Sequence, residues 1–324
     1  MAVNRAFLIL LTAAFWDYLI GDPLFLIHPV QIMGWIIQKY TQFALDKLSS
    51  TWQRRLSGIV LGLCLIAGSA CIGWLIVEIA YGFNFWLGYA IEVIVLASCF
   101  AGRSLRKAAN RVLQSLQDKD IALARSKLSM YVGRDTDRLS LAEILRAVLE
   151  TVGENAIDGV TAPLFYAILG IYLGVGAVPL ALGYKAASTL DSTIGYLRDP
   201  YTDIGWFSAV LEDYLTWLPC RLTVLTLAII SGKPRQKIAI CLRDAVKDPS
   251  PNSGWSECIY AAILGVRLGG VNTYNGEIKV KPLLGNSENP ITVNTIQKAL
   301  NLTRYCFFIW LALAILCYQL IVIS

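Results

Sequence analysis

The chain has 324 residues, 56% of them hydrophobic and only 16% charged, with a formal charge of +5 at pH 7. A charged content well below the roughly 25% of soluble domains excludes an ordinary soluble enzyme and indicates an integral membrane protein. The excess of Lys and Arg suits anionic lipid head groups or an anionic substrate, and no basic-aromatic pattern resembles a nucleic-acid module.

Four apolar runs read as membrane helices, at 6–20, 58–80, 83–100 and 305–323. The first is about 15 residues, short of the usual ~17–25, and reads as a span or half-span. No small-residue cleavage site follows it, which argues against a signal sequence. Two further runs are ambiguous between spanning and re-entrant. Run 163–182 contains Gly170, Gly174, Gly176 and Pro179, and run 214–231 contains Pro219 and Arg221. An ionisable group at mid-membrane costs roughly 2.5–3.5 kcal/mol, so Arg221 requires a partner or a wet cavity. Lys and Arg concentrate in 21–57, 101–162 and 232–304. If both ambiguous runs span, or neither does, these segments share one side, predicted to be cytoplasmic. The expectation is an all-α fold, a polytopic membrane helix bundle with cytoplasmic amphipathic helices and long functional loops. It would form a single domain over 1–324 in the inner or plasma membrane. Most of the eight cysteines lie in apolar runs and none forms a CxxC, so they read as small buried hydrophobes rather than a disulfide or zinc framework.

Between the runs, 103–128 reads as one charged, Ala/Leu-rich helix. The turn YVGRDTDRL follows, and Ser140 with Glu143 fits a capping box for the next helix. There Leu141, Ile144, Leu145, Val148, Leu149 and Val152 form an apolar stripe, opposed by Glu143, Arg146, Glu150 and Glu154. Arg146, Glu150, Glu154 and Asp158 are four apart and share one face, about 6 Å from neighbour to neighbour. Three carboxylates in a column repel by roughly 0.2–0.5 kcal/mol per pair, which suggests a cation to hold, although a solvated face with one Arg146–Glu150 pair is the plainer reading. The helix is expected to break at Asp158-Gly159. Residues 245–290, rich in Gly, Pro, Asn and Ser, read as ordered loops of the length that carries function.

Several smaller motifs carry chemistry. Asp17, Asp22 and the lone histidine, His28, stand around Pro23 and Pro29 at the end of the first run; two carboxylates with an imidazole can position a divalent ion or a phosphate. Arg134 in GRDT sits beside a small-residue turn that suits an oxyanion, or else faces solvent at the start of a helix. STLDSTIGY places Asp191 among Ser188, Thr189, Ser192 and Thr193, with Lys185 upstream, as a polar wall beside an apolar run. Glu212 and Asp213 lie roughly 12 Å along the helix axis from Arg221, which is expected to meet a carboxylate of another element or the substrate. Asn252 in PNSGW and Arg267 in GVRLGG lie in Gly-rich loops that permit close approach to phosphate, without a Walker A or GxGxxG pattern.

The order GDP…HPV, GRDT, RAxxETVxENxxDGVxAPLFY, TLDSxxGY, PxRLT, PNSG and GVxLGGxxxYxG resembles the adenosylcobinamide-phosphate synthase family (CbiB/CobD type) from about Asp17 to Gly285. Departures are mild: Ser188 where the family has Asn, Glu212-Asp213 for DD, and Pro219-Cys220-Arg221 for PAR. The resemblance implies a membrane ligase of cobalamin synthesis. It would join aminopropanol or its phosphate to the propionate carboxylate of adenosylcobyric acid, with ATP and Mg²⁺. On that footing Glu150, Glu154, Asp158 and Asp213 are the metal candidates, and Arg134, Arg146 and Arg221 the phosphate or carboxylate candidates. Lys185, Asn252 and Arg267 join Arg134 as nucleotide candidates. Asn155 would bond a corrin amide, His28 or Asp22 would take the amine proton, and Asp191 would complete the catalytic set. The lipid bilayer and other corrinoid-pathway membrane enzymes are the expected partners. The sequence leaves open a free or phosphorylated amine, and an acyl phosphate or an acyl adenylate. A corrinoid transporter and a membrane phosphotransferase are the competing readings. The first lacks an internal repeat, and the second would need more aspartates after Asp158-Gly159.

Overall fold

A computed structural model describes residues 2–21, 28–196 and 198–323, with side chains from residue 5 to residue 320 of these. The described chain is helical apart from one two-stranded sheet, in keeping with the expected all-α bundle. Its contacts gather it into two compact units.

The first unit holds residues 1–101, 162–216 and 311–324. It contains α1 (Ala2–Leu19), α2 (Pro29–Lys47), α3 (Thr51–Phe83), α4 (Phe85–Ala97), α8 (Ala162–Tyr172) and α9 (Ala177–Ile194). The start of α10 (Trp206–Ile230) and the end of α13 (Val293–Ile323) also belong to it. The Asn84 side chain accepts from the amides of Trp86 and Leu87 and so starts α4 directly after α3. Along α3, Gly62 faces the Phe207 ring and Gly73 faces Leu182 and Val178 of α9, where a Cβ would collide. Small residues of this kind let apolar helices approach closely. The ambiguous run 163–182 resolves into α8 and α9, joined by a turn in which Gly174 and Gly176 have φ of +73° and +91°. Those glycines suit the turn because only they take such angles without strain.

Among the described residues, three helices, α3, α10 and the Val293–Leu320 stretch of α13, are long and apolar enough to cross a membrane, or four if α4 and α5 (Gly102–Gln117) count as one broken span. The ambiguous run 214–231 thus lies on a helix of spanning length. Run 83–100, expected to span, is by itself the 13-residue α4. At about 1.5 Å per residue that is roughly 20 Å, short of a ~30 Å hydrocarbon core.

The second unit holds residues 102–161 and 217–310. The single helix expected over 103–128 is two, α5 and α6 (Ile121–Leu128). Lys119 turns at φ +61°, and Asp120 caps α6 by accepting from the Leu123 amide at 2.8 Å. α7 (Leu141–Ala156) begins with the expected capping box, Glu143 Oε2 taking the Ser140 amide at 2.7 Å. The expected break at Asp158-Gly159 is instead a π-helical turn, Ile157–Thr161. α11 (Pro234–Asp244) and α12 (Ser253–Leu264) follow the second part of α10.

Residues 245–290 are not all loop. They contain α12 and an antiparallel hairpin, β1 (Leu268–Tyr274) and β2 (Glu277–Leu284), closed by Asn275-Gly276 with φ of +51° and +81°. Asn-Gly between alternating strands is a strong hairpin signal, and the turn explains why this stretch looks loop-like in composition.

Candidate active site

Four motif segments converge within the second unit. Asp135 of GRDT accepts the amides of Asn275 and Gly276 at 3.0 and 2.8 Å, and its own amide donates to the Thr273 carbonyl. That clamp fixes the hairpin turn. The far end of the hairpin is held by Asp244, which takes the Gly285 amide at 3.1 Å and pairs with Arg243 and Lys247. The Arg243 hydrogen bond, with those of Gly285 and Lys247, holds the Asp244 carboxyl below its ordinary range.

Between these anchors lies a buried ion cluster. Glu150, 2% exposed, accepts from Arg134 Nη2 at 2.5 Å, from the Gly269 amide at 2.9 Å and from Arg146 Nη1 at 3.4 Å. Arg134 also donates to Asn272 Oδ1 at 2.9 Å. Arg146 donates to the carbonyls of Gly269 and Val271 and to Asn272 Oδ1. β1 therefore covers the Arg146–Glu150 part of the polar face of α7. Gly269, at φ +82°, faces the Pro282 carbonyl where a Cβ would sit, so only glycine lets the strand bring its amide to Glu150.

This geometry corrects several expectations. The members of the carboxylate column have different surroundings. Glu150 has its oxygens taken by two guanidiniums and an amide, and Glu154 is exposed. Asp158 is half-buried on the π turn, off the α-helical spacing that placed it in the column. Among the described residues, no group of three or more His, Cys, Asp or Glu is placed to hold a metal ion. Arg134 and Arg146 both bond Glu150 and Asn272 of the hairpin. Asn155 bonds back to the Thr151 carbonyl at 3.0 Å. Arg221 meets no carboxylate in its described contacts: it donates to the Pro251 carbonyl at 2.8 Å and stacks 4.4 Å over Trp255. Asn252 is buried before α12, and Arg267 is exposed.

A second buried carboxylate, missed in the sequence, completes the cluster. Glu257 on α12 is 1% exposed and bonds Lys281 of β2 at 3.2 Å. Gly153, between Glu150 and Glu154, lets α12 approach: a Cβ there would lie 3.3 Å from the Glu257 Cα. Burial, with the charges of Glu150 and Glu154, pushes Glu257 up to about 8 against the opposing pull of Lys281. Burial disfavours the Lys281 ammonium, yet Glu257 and Glu154 outweigh it and raise that group. The available signal was a lone carboxylate inside the apolar run WSECIYAAIL.

The remaining candidates belong to the first unit. His28 caps α2, its Nδ1 accepting the Val30 amide at 3.2 Å and its own amide donating to Gln31. Asp22 lies outside the described residues. Lys185 and Asp191 are half-buried on α9, which continues through the TLDS motif where a polar wall was expected. The hydroxyls of Thr189, Ser192 and Thr193 bond back to their own helix. Asp213 is half-buried on α10, beside Glu212, which bonds Thr216.

The profile of the CobD/Cbib protein family matches residues 10–303. The chain belongs to that family. Similar members include the cobalamin biosynthesis protein CobD of Synechocystis, 55% identical over 94% of this chain and 89% of the relative. CbiB of Salmonella typhimurium is 38% identical over 92% of this chain and 93% of the relative. CobD of Halalkalibacterium halodurans is 38% identical over 94% and 95%. No solved structure matches the chain. As a CobD/CbiB member the chain has an enzyme's role in cobalamin biosynthesis, and its apolar helices mark it as a membrane protein.

Proposed function

We propose that this CobD/CbiB member is a ligase that joins aminopropanol, or its phosphate, to the propionate carboxylate of adenosylcobyric acid at the expense of ATP. The observation that carries this reading is the convergence of GRDT, α7, α12 and the GVRLGG hairpin in one buried charged cluster. A carboxylate does not acylate an amine in water unless a phosphoryl or adenylyl group is first transferred to it. The reaction therefore needs a place that tolerates several charges at once and excludes water, and the cluster supplies balanced carboxylates, guanidiniums and an ammonium.

A place for the corrinoid is offered by a cleft between the end of α12 and the start of α13. This cleft of about 740 Å³ is lined by Asn289, Asn294, Asn301, Lys298, Tyr305 and Leu264. Its amides suit a macrocycle fringed with side-chain amides. Leu264 is seven residues along α12 from Glu257, about 10 Å along the axis. No protein cage for Mg²⁺ is assembled by the carboxylates named above. Mg²⁺ commonly rides on nucleotide phosphates with only one or two protein carboxylates, so the nucleotide would bring its ion with it. A cytoplasmic nucleotide places the basic segments 101–162 and 232–304 on the inner side, in line with their Lys and Arg content.

The test is an assay in membranes containing the protein, with ATP, Mg²⁺, adenosylcobyric acid and either amine form. The expected outcome is amide product with stoichiometric ADP or AMP. Corrinoid uptake into sealed vesicles with neither amide nor nucleotide turnover would establish a transporter instead.

A further inference from the structure

Glu257 is the group in the cluster that its neighbours leave incomplete. Oε1 accepts from Lys281, whereas Oε2, fully buried, meets no hydrogen-bond partner. The buried Nδ2 of Asn272 likewise has none, because the two arginines take only its oxygen. Buried polar groups left unpaired are costly and therefore rare. One orphan acceptor and one orphan donor in a single cluster complement a small ligand that carries a cationic donor and an acceptor oxygen. Glu150 cannot serve such a ligand, since its oxygens are already engaged.

Building on the ligase reading above, we propose that Glu257 binds the amine substrate as its ammonium ion and accepts the proton that must leave before nitrogen attacks the activated carboxylate. Lys281 holds Oε1, leaving Oε2 for the ammonium, and the exposed Glu154 attracts the cation from solvent. The step balances. R–NH₃⁺ gives one proton to the Glu257 carboxylate, the free amine forms the new C–N bond, and the acyl C–O bond to the phosphoryl or adenylyl group breaks. The second N–H proton leaves with the departing phosphate or AMP oxygen. The charged groups facing Glu257 are Glu150 and Glu154 of α7 and Lys281 of β2. With burial, they raise it above the ordinary carboxylate range, the direction that strengthens a general base.

The experiment compares wild type with Glu257→Gln, using ATP, adenosylcobyric acid and, in parallel, the amine substrate and hydroxylamine. Hydroxylamine is a neutral nucleophile near neutral pH and needs no base. The variant should lose about 100-fold or more in kcat/KM for the amine while keeping hydroxamate formation within about threefold of wild type. Amide formation kept within about tenfold, or loss of both products together, overturns the assignment. If wild type forms neither product, the ligase reading itself fails, and this assignment with it. Lys281→Met provides a second test should Glu257→Gln not accumulate. Without the ammonium, Glu257 holds its proton more tightly, so the rising limb of the amine pH profile should move alkaline by about one unit or more. An unmoved limb also overturns the assignment.

Discussion

At the residue scale, Arg146 and Glu150 were legible as an i, i+4 pair from spacing alone. Spacing could not show that Arg134, sixteen residues away, reaches the same carboxylate. A lone i, i+4 pair on a solvated face contributes only about 0.3–0.5 kcal/mol. A carboxylate 2% exposed between two guanidiniums behaves differently, because removing it strands the buried Arg134 and takes one partner from the half-buried Arg146. Glu150→Gln should therefore lower stability by about 3–5 kcal/mol, whereas the exposed Glu154→Gln should stay within about 0.5 kcal/mol. Thermal midpoints of the two variants in detergent make the comparison, and equal midpoints would show that Glu150 is not the structural centre. Asn155 and the TLDS hydroxyls illustrate the opposite error. Polar residues on a helix often satisfy themselves on the preceding turn, and sequence alone does not distinguish that from a ligand waiting to bind.

At the element scale, the hairpin had a signal that composition concealed. VNTYNGEIKV alternates around Asn-Gly, yet the surrounding Gly, Pro and Asn favoured loops. The paired glycines before it, Gly269 and Gly270, both adopt positive φ and create the irregular register that lays β1 on α7. At Gly269 a side chain would meet the Pro282 carbonyl, while at Gly276 nothing lies within 4 Å. Gly276→Ala should cost only the left-handed penalty of about 1–2 kcal/mol. Gly269→Ala should cost more and also abolish the proposed amide formation, because it displaces the Gly269 amide from Glu150. Thermal melting and activity of both variants check this, and intact activity in Gly269→Ala would detach the hairpin register from the site. The α7 capping box and its apolar stripe, by contrast, were readable in full from Ser140 onward, apart from Leu141, which is 49% exposed.

At the scale of the whole molecule, the side of the membrane on which the TLDS segment lies can be decided directly. Cys64, Cys71 and Cys317 are the exposed cysteines and must first be replaced. Thr193→Cys should then resist a membrane-impermeant thiol reagent in intact cells and label after permeabilisation, as a cytoplasmic reaction requires. Labelling from outside would place α9's C-terminal end on the side opposite the proposed nucleotide. By itself the sequence determined the class, the family, the amphipathic α7 and most motif positions. These follow from local composition and from spacing along one helix, both of which are written in consecutive residues. Only the tertiary structure decided that 163–182 is a helical hairpin, that Glu150 of the carboxylate column is taken into a buried ion cluster, and that Glu257 belongs to it. Those outcomes depend on which distant segments meet, and burial by a strand more than a hundred residues away turns a solvated charge into a paired one.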